Sequence, residues 1–337
     1  MELKIVKIAE TSEKIRDRID TFILDHNTNG EFVNSLKYLS YHPHERFEDD
    51  SIAVIDMGNQ EVKGVLMAAC LPGDNSKHII SHPGTTFAGP VLSIKMDIKS
   101  AEEVISLMMS YYEQKYDCVE IRLRPSVYDT QPMDWVQYWL LRRGYQYGMM
   151  ALANVINLQG IENEEQVLTF FNAGRRNHIK KAIKGENYIL KETEIPEERI
   201  WRNLNTNLKE KFNSETTHSY EEIQTLCHYF PQNILSFFAE RKDGKYGAFV
   251  LGYRYKNVFH TQYLDLNYQF SAEYPHLFLI YELIRKAKSE KIAYFSFGAS
   301  TEARGTILNE GLFQYKNGYG GGAVLLPVMT WNKGVVR

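Results

Sequence analysis

Two sets of residues in this sequence have types and spacings that could do chemistry. His260, Gln262 and Tyr263 fall within one strand-like stretch from Val258 to Leu266. Strand alternation puts His260 and Gln262 on one face and Tyr263 on the other. A histidine, with a reference pKa of about 6.5, can take the proton that an amine must lose before or during attack on a carbonyl. The same three residues also read as polar groups lining a cleft without proton transfer. The second set is Arg175, Arg176, Lys180 and Lys181, with Lys184 beyond them. This basic run opens a helix and could hold phosphates of tRNA, a nucleotide-sugar or a carrier lipid; it also reads as a solvated helix face. Arginine suits bidentate phosphate binding better, which ranks Arg175 and Arg176 above the lysines.

Other chemistries lack their residues. His42-x-His44 and the pair His78 and His82 have no cysteine pair or His-Glu-x-x-His beside them, so they read as solvated or core histidines and no metal is expected. No Gly-x-Ser-x-Gly elbow and no Walker loop occurs. Gly318 and Gly320 to Gly322 precede a strand rather than a helix, which makes them a turn. Cys70, Cys118 and Cys227 are far apart and odd in number, which suggests reduced thiols. Cys227 reads as inert core.

The elements that must position these residues follow one order twice. In the first half, strands are expected at 51–56, 62–70 and 78–92 (the last interrupted by Pro83-Gly84), a helix at 101–115 opened by a Ser100/Glu103 capping box, a strand at 118–124, a short helix at 134–143 and a strand at 147–158. In the second half, a hairpin turns around Asp243-Gly244 and a third strand covers 258–266. A helix over 275–288 then buries Leu277, Ile280, Tyr281 and Ile284, and a strand at 292–297, a helical stretch at 305–316 and a strand at 323–329 complete the set. The long helices start near 101 and 275 and the next strands near 118 and 292, the same offset of 174 residues, as a duplicated unit requires. Helices precede each set, near 11–24 and 31–40 and again near 164–184, 196–212 and 220–229, where Ser219 and Glu222 form a capping box. Meander strands followed by βαβ crossings give an α/β class with a mixed sheet. The division falls at 1–155 and 156–337.

The bulk composition bounds the function. The chain has 337 residues, 44% hydrophobic and 24% charged, with a net charge of −3. That excludes a global basic field of the kind that coats nucleic acid, and leaves room for one local contact. Aromatic residues make up 13%, which fits large cores or a ring-lined cleft. The N-terminus lacks a signal-peptide core, and no apolar run approaches the ~20 residues that span a bilayer, so a soluble, cytoplasmic protein is expected.

Specific words in the sequence resemble the Fem-type and FemAB-like transferases, built from tandem acyltransferase lobes of the GNAT kind. Phe297-Gly298-Ala299-Ser300 is followed by Asn309-Glu310-Gly311-Leu312-Phe313-Gln314-Tyr315-Lys316-Asn317-Gly318-Tyr319-Gly320. This resembles that family's Phe-Gly-x-Ser strand end and Asn-x-Gly-Leu, aromatic, Lys, aromatic-Gly run. Arg175 to Ala182 resembles the basic helix opening its second lobe. Tyr41-His42-Pro43-His44-Glu45-Arg46-Phe47 and Ser81 to Gly89 resemble first-lobe motifs.

The resemblance implies two tandem GNAT-like lobes and transfer of an acyl or aminoacyl group to an amine, with an acyl-coenzyme A or an aminoacyl-tRNA as donor. It implies that Lys316 stabilises the charge developing on the transferred carbonyl; a surface lysine ending a helix is the plainer reading. It implies that the third strand, with His260, Gln262 and Tyr263, lines the acceptor and thioester groove. Phe297 and Asn309 belong to the matched words, and Tyr41, His42, Arg46, His82 and Phe87 would converge on a substrate groove. The chain departs from ordinary GNAT enzymes where a glycine-rich loop binds pyrophosphate: Ser93 to Ala101 and Asn267 to Pro275 contain no glycine.

Together these features point to transfer onto an amine of a cell-envelope or polysaccharide precursor. Two alternatives stand beside it: a coenzyme A-dependent N-acyltransferase with an atypical pyrophosphate site, and a non-catalytic protein that binds a glycan or nucleotide precursor.

Overall fold

The structure, a computed structural model, describes residues 2–74 and 77–334. The chain folds as two compact units: Met1–Ala151, Arg304–Thr306 and Leu325–Arg337 form unit 1, and Leu152–Ala303 and Ile307–Val324 form unit 2. The elements run β1 (Leu3–Lys7), α1 (Glu13–Leu24), α2 (Leu36–Leu39), β2 (Glu48–Asp49), β3 (Ile52–Asp56), β4 (Glu61–Leu66), β5 (Ala69–Cys70), β6 (His78–Ile80), β7 (Val91–Leu92), α3 (Ile98–Lys115), β8 (Cys118–Arg122), α4 (Trp135–Arg142) and β9 (Gln146–Asn157). They continue with α5 (Ala173–Lys184), β10 (Tyr188–Thr193), α6 (Glu198–Phe212), α7 (Tyr220–Tyr229), β11 (Ile234–Arg241), β12 (Tyr246–Arg254), β13 (Val258–Leu266), α8 (Pro275–Ser289), β14 (Tyr294–Ala299), β15 (Thr301–Glu302), β16 (Ile307–Leu308), α9 (Glu310–Asn317) and β17 (Gly322–Asn332). The repeat persists: α3 and α8 start at 98 and 275, and β8 and β14 at 118 and 294, offsets of 177 and 176.

Unit 1 holds one sheet in the order β1-β3-β4-β7 and strands in the order β17-β8-β6-β5-β2. The single strand expected over 62–70 is broken. The Met67 carbonyl accepts from the His82 N–H at 3.0 Å and the Ala68 carbonyl from the Asp50 N–H at 2.9 Å, which sends β4 and β5 to different sheets. Helix α3 begins three residues earlier than Ala101, so the cap is Asp97 rather than a Ser100/Glu103 box; the Asp97 carboxylate accepts from the N–H groups of Lys99 and Ser100 at 3.0 and 3.1 Å. Its inner face buries Val104, Ile105, Met108 and Tyr112. The last strand departs from the 155/156 division. β17 pairs with β8 from Val328↔Arg122 to Asn332↔Cys118 and buries Met329 in the unit 1 core, so the final segment belongs with the first unit.

Unit 2 orders its strands β10-β11-β12-β13-β14-β9. On one face lies α8, whose Leu277, Ile280, Tyr281 and Ile284 are all buried as the helical spacing requires, each such aliphatic side chain giving about 1.5–3 kcal/mol. The Ser219/Glu222 capping box forms, with the Ser219 hydroxyl accepting from the Glu222 N–H at 3.2 Å and the Glu222 carboxylate from the Ser219 N–H at 2.8 Å. Two irregularities shape the site. The parallel ladder of β13 and β14 runs Val258↔Tyr294, Phe259↔Phe295, His260↔Ser296; beyond it β13 continues to Leu266 along β12, while β14 bulges between Ser296 and Ala299 against β9. On β13, Tyr253↔His260 and Gly252↔Thr261 are followed by Leu251↔Tyr263, so Gln262 is an inserted residue.

Candidate functional site

The bulged end of β14 gathers four residues of unit 2. Gly298 adopts φ +70°, and a side chain there would meet the His260 ring at 2.9 Å, so both backbone and space require glycine. Its N–H donates to the Ser296 hydroxyl at 3.2 Å, and that hydroxyl lies 3.1 Å from His260 Nδ1. The Ser296 hydroxyl, one donor with two acceptor lone pairs, thus ties the Gly298 N–H to the His260 ring. Burial, and next to it the Lys316 charge, pushes His260 down to about 4. The ring is therefore neutral at pH 7, and its pKa lies below the range that suits a base accepting an amine's proton there.

Lys316 projects from the last turn of α9 onto the same strand end. Its ammonium donates to the Gly298 carbonyl at 3.2 Å and to the Ala299 carbonyl. Burial lowers its pKa to about 8, so it still carries its charge at pH 7. A cation held against a bulge where two parallel strands part is a preorganised partner for an oxyanion.

The bulge at Gln262 changes the reading of this strand. Leu251 and Tyr253 share a face of β12 because they are two residues apart, so their partners Tyr263 and His260 share a face as well; alternation without the bulge placed them on opposite faces. Tyr263 turns to helix α6 and the connection before α7, its hydroxyl 2.7 Å from His218 Nδ1 and its ring edge-on to Trp201 at 5.1 Å.

Of the two arginines, Arg175 reaches the neighbourhood of α9. Its guanidinium stacks over the rings of Tyr319 at 3.9 Å and Tyr315 at 4.9 Å, under Gly318, where a side chain would come within 2.6 Å of it. Arg176 follows half-buried on α5. His178 stacks on Tyr274 at 4.0 Å, and burial, then Arg175 and His178, push His276 down to about 4. Phe297 and Asn309 have structural duties. Phe297 is buried against Tyr319 at 4.9 Å, and the Asn309 carboxamide caps α9 by accepting from the Leu312 N–H at 2.9 Å.

In unit 1, Tyr41, His42, Arg46 and His82 do meet. His42 lies 4.0 Å from the Tyr41 ring and stacks on His82 at 5.8 Å, while Arg46 approaches His42 Nδ1 at 3.2 Å and Phe47 packs edge-on to both imidazoles. Burial, then His42, pushes His82 down to about 3. Phe87 stands apart, buried edge-on to Tyr128 at 5.1 Å. Burial pushes the Cys227 thiol up to about 12, which agrees with an inert core residue.

Residues 199–317 match the family model described as an acetyltransferase (GNAT) domain. FemX superposes with a TM-score of 0.70 at 11% identity, covering 98% of this chain and 97% of FemX. The C-terminal domain of a putative lysylphosphatidylglycerol synthetase from Agrobacterium fabrum gives 0.58 at 9%, covering 95% and 92%. A tandem GNAT protein from the clavulanic acid biosynthesis pathway gives 0.52 at 10%, covering each chain fully. The chain has the tandem GNAT fold. No curated protein matches it by sequence.

Within the GNAT unit formed by residues 152–303 and 307–324, sequence reasoning missed Ser296, His218 and His276. Ser296 and Gly298 bracket the Phe297 that the motif drew attention to, and only the bulge reveals that the bracket makes the site. The segment before α8 also differs from a glycine-rich phosphate loop: Tyr274 sits at φ +59°, and Glu273 is held by the Tyr188 hydroxyl at 2.8 Å and by the Arg241 guanidinium. Phosphate groups there would meet Arg175, His178 and His276 rather than a backbone cradle. Among the described residues, no helix is long and apolar enough to cross a membrane.

Proposed function

We propose that unit 2 transfers an acyl or aminoacyl group to an amine of a cell-envelope or polysaccharide precursor. The observation that carries this reading is Lys316, a half-buried ammonium fixed against Gly298 and Ala299 where β13 and β14 part beyond the His260↔Ser296 pair. The amine attacks the donor carbonyl, the carbonyl π electrons move onto oxygen, and the Lys316 ammonium meets that negative charge. Collapse of the tetrahedral species re-forms the carbonyl and expels the donor's thiol or ribose oxygen, and the amine proton leaves with solvent or the leaving group. His260 holds the Ser296 and Gly298 end of the strand in place.

The donor is an acyl-coenzyme A or an aminoacyl-tRNA. The match to an acetyltransferase domain favours the first. The glycine-free approach to α8 and the likeness to FemX favour the second. In either case Arg175, with Arg176 behind it, holds phosphate. The name of the Agrobacterium protein, a lysylphosphatidylglycerol synthetase, joins an aminoacyl group to an envelope lipid, in keeping with an envelope acceptor. Steady-state assays with acetyl-coenzyme A and with aminoacyl-tRNA against a panel of amines test the reading: turnover with one donor, lost on Lys316→Ala in a chain that keeps its fold, is expected, and full activity of that variant refutes the role of Lys316.

A further inference from the structure

The outward face of α5 is basic and unpaired. The helix packs into unit 2 through Ile179 and Ala182, both buried. Helical spacing turns Lys180, Lys181 and Lys184 away from that side, and all three are exposed. The helix contains no Asp or Glu. Lys242, in the turn between β11 and β12, extends the same surface: its N–H donates at 3.2 Å to the carbonyl of Asn187, just beyond α5. None of these four ammonium groups has a hydrogen-bond or ion-pair partner among the described residues. Elsewhere in unit 2 such groups are paired, Lys191 with Glu240, Lys286 with Glu192 and Glu290, and Arg202 with Glu198. Like charges one turn apart, as at Lys180 and Lys184, destabilise a helix slightly, and an anionic partner reverses that effect.

The neighbouring helix adds apolar surface. Arg175, on the inner side of α5, lies over the Tyr315 ring of α9 at 4.9 Å. None of the residues of α9 is buried. Around its start, Ile307, Leu308 and Leu312 are 56%, 43% and 38% exposed. An aliphatic ridge on one helix and an unpaired basic face on the next make up a surface suited to the headgroup layer of an anionic bilayer. RNA suits it less well. Single strands are held in grooves that offer rings for the bases to stack on, whereas the lysine face is a convex helix side without an aromatic residue. Nucleic acid also gives the aliphatic ridge no apolar partner.

We propose that unit 2 docks peripherally on an anionic phospholipid membrane, with the four lysines on lipid phosphates and the ridge at Ile307, Leu308 and Leu312 among the upper acyl carbons. The whole chain carries a net charge of −3 and would be repelled by such a surface, so this face alone sets the orientation. Lys184 lies nine residues beyond Arg175 on α5, about 14 Å along the axis. Docking therefore brings the Lys316 end of β14 within reach of a lipid-borne acceptor. That consequence rests on the transfer reading; the docking itself does not.

Co-sedimentation of the intact chain with phosphatidylcholine vesicles, with and without phosphatidylglycerol, tests it. The chain pellets with the anionic vesicles at low salt, stays in solution with the neutral ones, and is released as salt rises. Each lysine contributes about five-fold to the partition coefficient, so Lys180→Gln together with Lys184→Gln lowers it about 25-fold. Leu308→Ser weakens binding several-fold and leaves the salt slope as it was. These positions are exposed, and circular dichroism of the variants stays that of the parent. Lys316→Ala still pellets with anionic vesicles, so loss of turnover and loss of docking are read separately. Equal binding to both kinds of vesicle, no binding to the anionic ones, or full binding by the lysine variant overturns the proposal. Transfer RNA held more tightly than anionic vesicles at the same salt, and released by the same two substitutions, assigns this face to RNA and overturns it as well.

Discussion

Replacing Lys316 by methionine removes the charge and keeps the length of the side chain, and its consequences differ in kind for activity and for stability. An oxyanion partner of this sort contributes about 3–4 kcal/mol to the transition state, so kcat falls 10²- to 10³-fold, to roughly the level left by positioning alone. Stability responds through pH. Burial lowers the lysine from 10.5 to about 8, so the folded chain holds the charged form less readily than the unfolded chain does. That penalty is present below pH 8 and is relieved as pH rises toward 10.5. The full shift is worth about 3 kcal/mol, and allowing for the solvent that reaches a half-buried group leaves about 1–2 kcal/mol. Urea melts of the parent at pH 7 and pH 10, minus the same melts of the methionine variant, read this difference directly; the parent gains relative to the variant on going alkaline. Other titrating groups cancel in the subtraction. A stability difference of that sign with kcat within a few-fold of the parent refutes the catalytic role while leaving the burial intact. No pH-linked difference refutes the burial itself.

Three further outcomes follow from the same geometry. Gly298→Ala combines a left-handed backbone with a 2.9 Å approach to the His260 ring; it costs about 2–3 kcal/mol in denaturant melts, and turnover falls by more than that loss explains because the Ser296–His260 bond is displaced. Asn309→Ala removes a helix cap and lowers stability by about 1 kcal/mol, with KM for donor and acceptor unchanged; a raised KM would return this residue to substrate binding. Arg175→Ala raises KM for the phosphate-bearing donor about ten-fold and flattens its salt dependence, whereas an unchanged salt slope would make the arginine a packing residue on Tyr319.

Periodicity carried the fold a long way. The buried stripe of α8 at Leu277, Ile280, Tyr281 and Ile284, the Ser219/Glu222 cap and the constant spacing of α3 to α8 were all legible, because each follows from local spacing alone. What local spacing cannot carry is pairing register. The inserted Gln262 rotates Tyr263 onto the face of His260, and the β14 bulge brings Ser296 and Gly298 beneath Lys316. Both depend on which residue of a distant strand sits opposite. The environment of His260 was hidden for a related reason: its type suggests proton transfer near neutrality, and only burial beside a cation removes that capacity. Asn309 and Phe297 stood in the right words of the sequence and serve there as a cap and a core ring.

The return of the last strand to unit 1 bears on how this protein is made. β8 carries β6 on one edge and β17 on the other, and the residues of β17 leave the ribosome some 200 positions after those of β8. Throughout that interval the nascent first unit presents an open strand edge, the kind of surface that recruits chaperones or pairs with a stray strand. A chain stopped before Leu325 would have translated all of unit 2 and yet would lack the strand that pairs with β8 in unit 1. Truncations that remove β17 therefore act on the unit that is synthesised first.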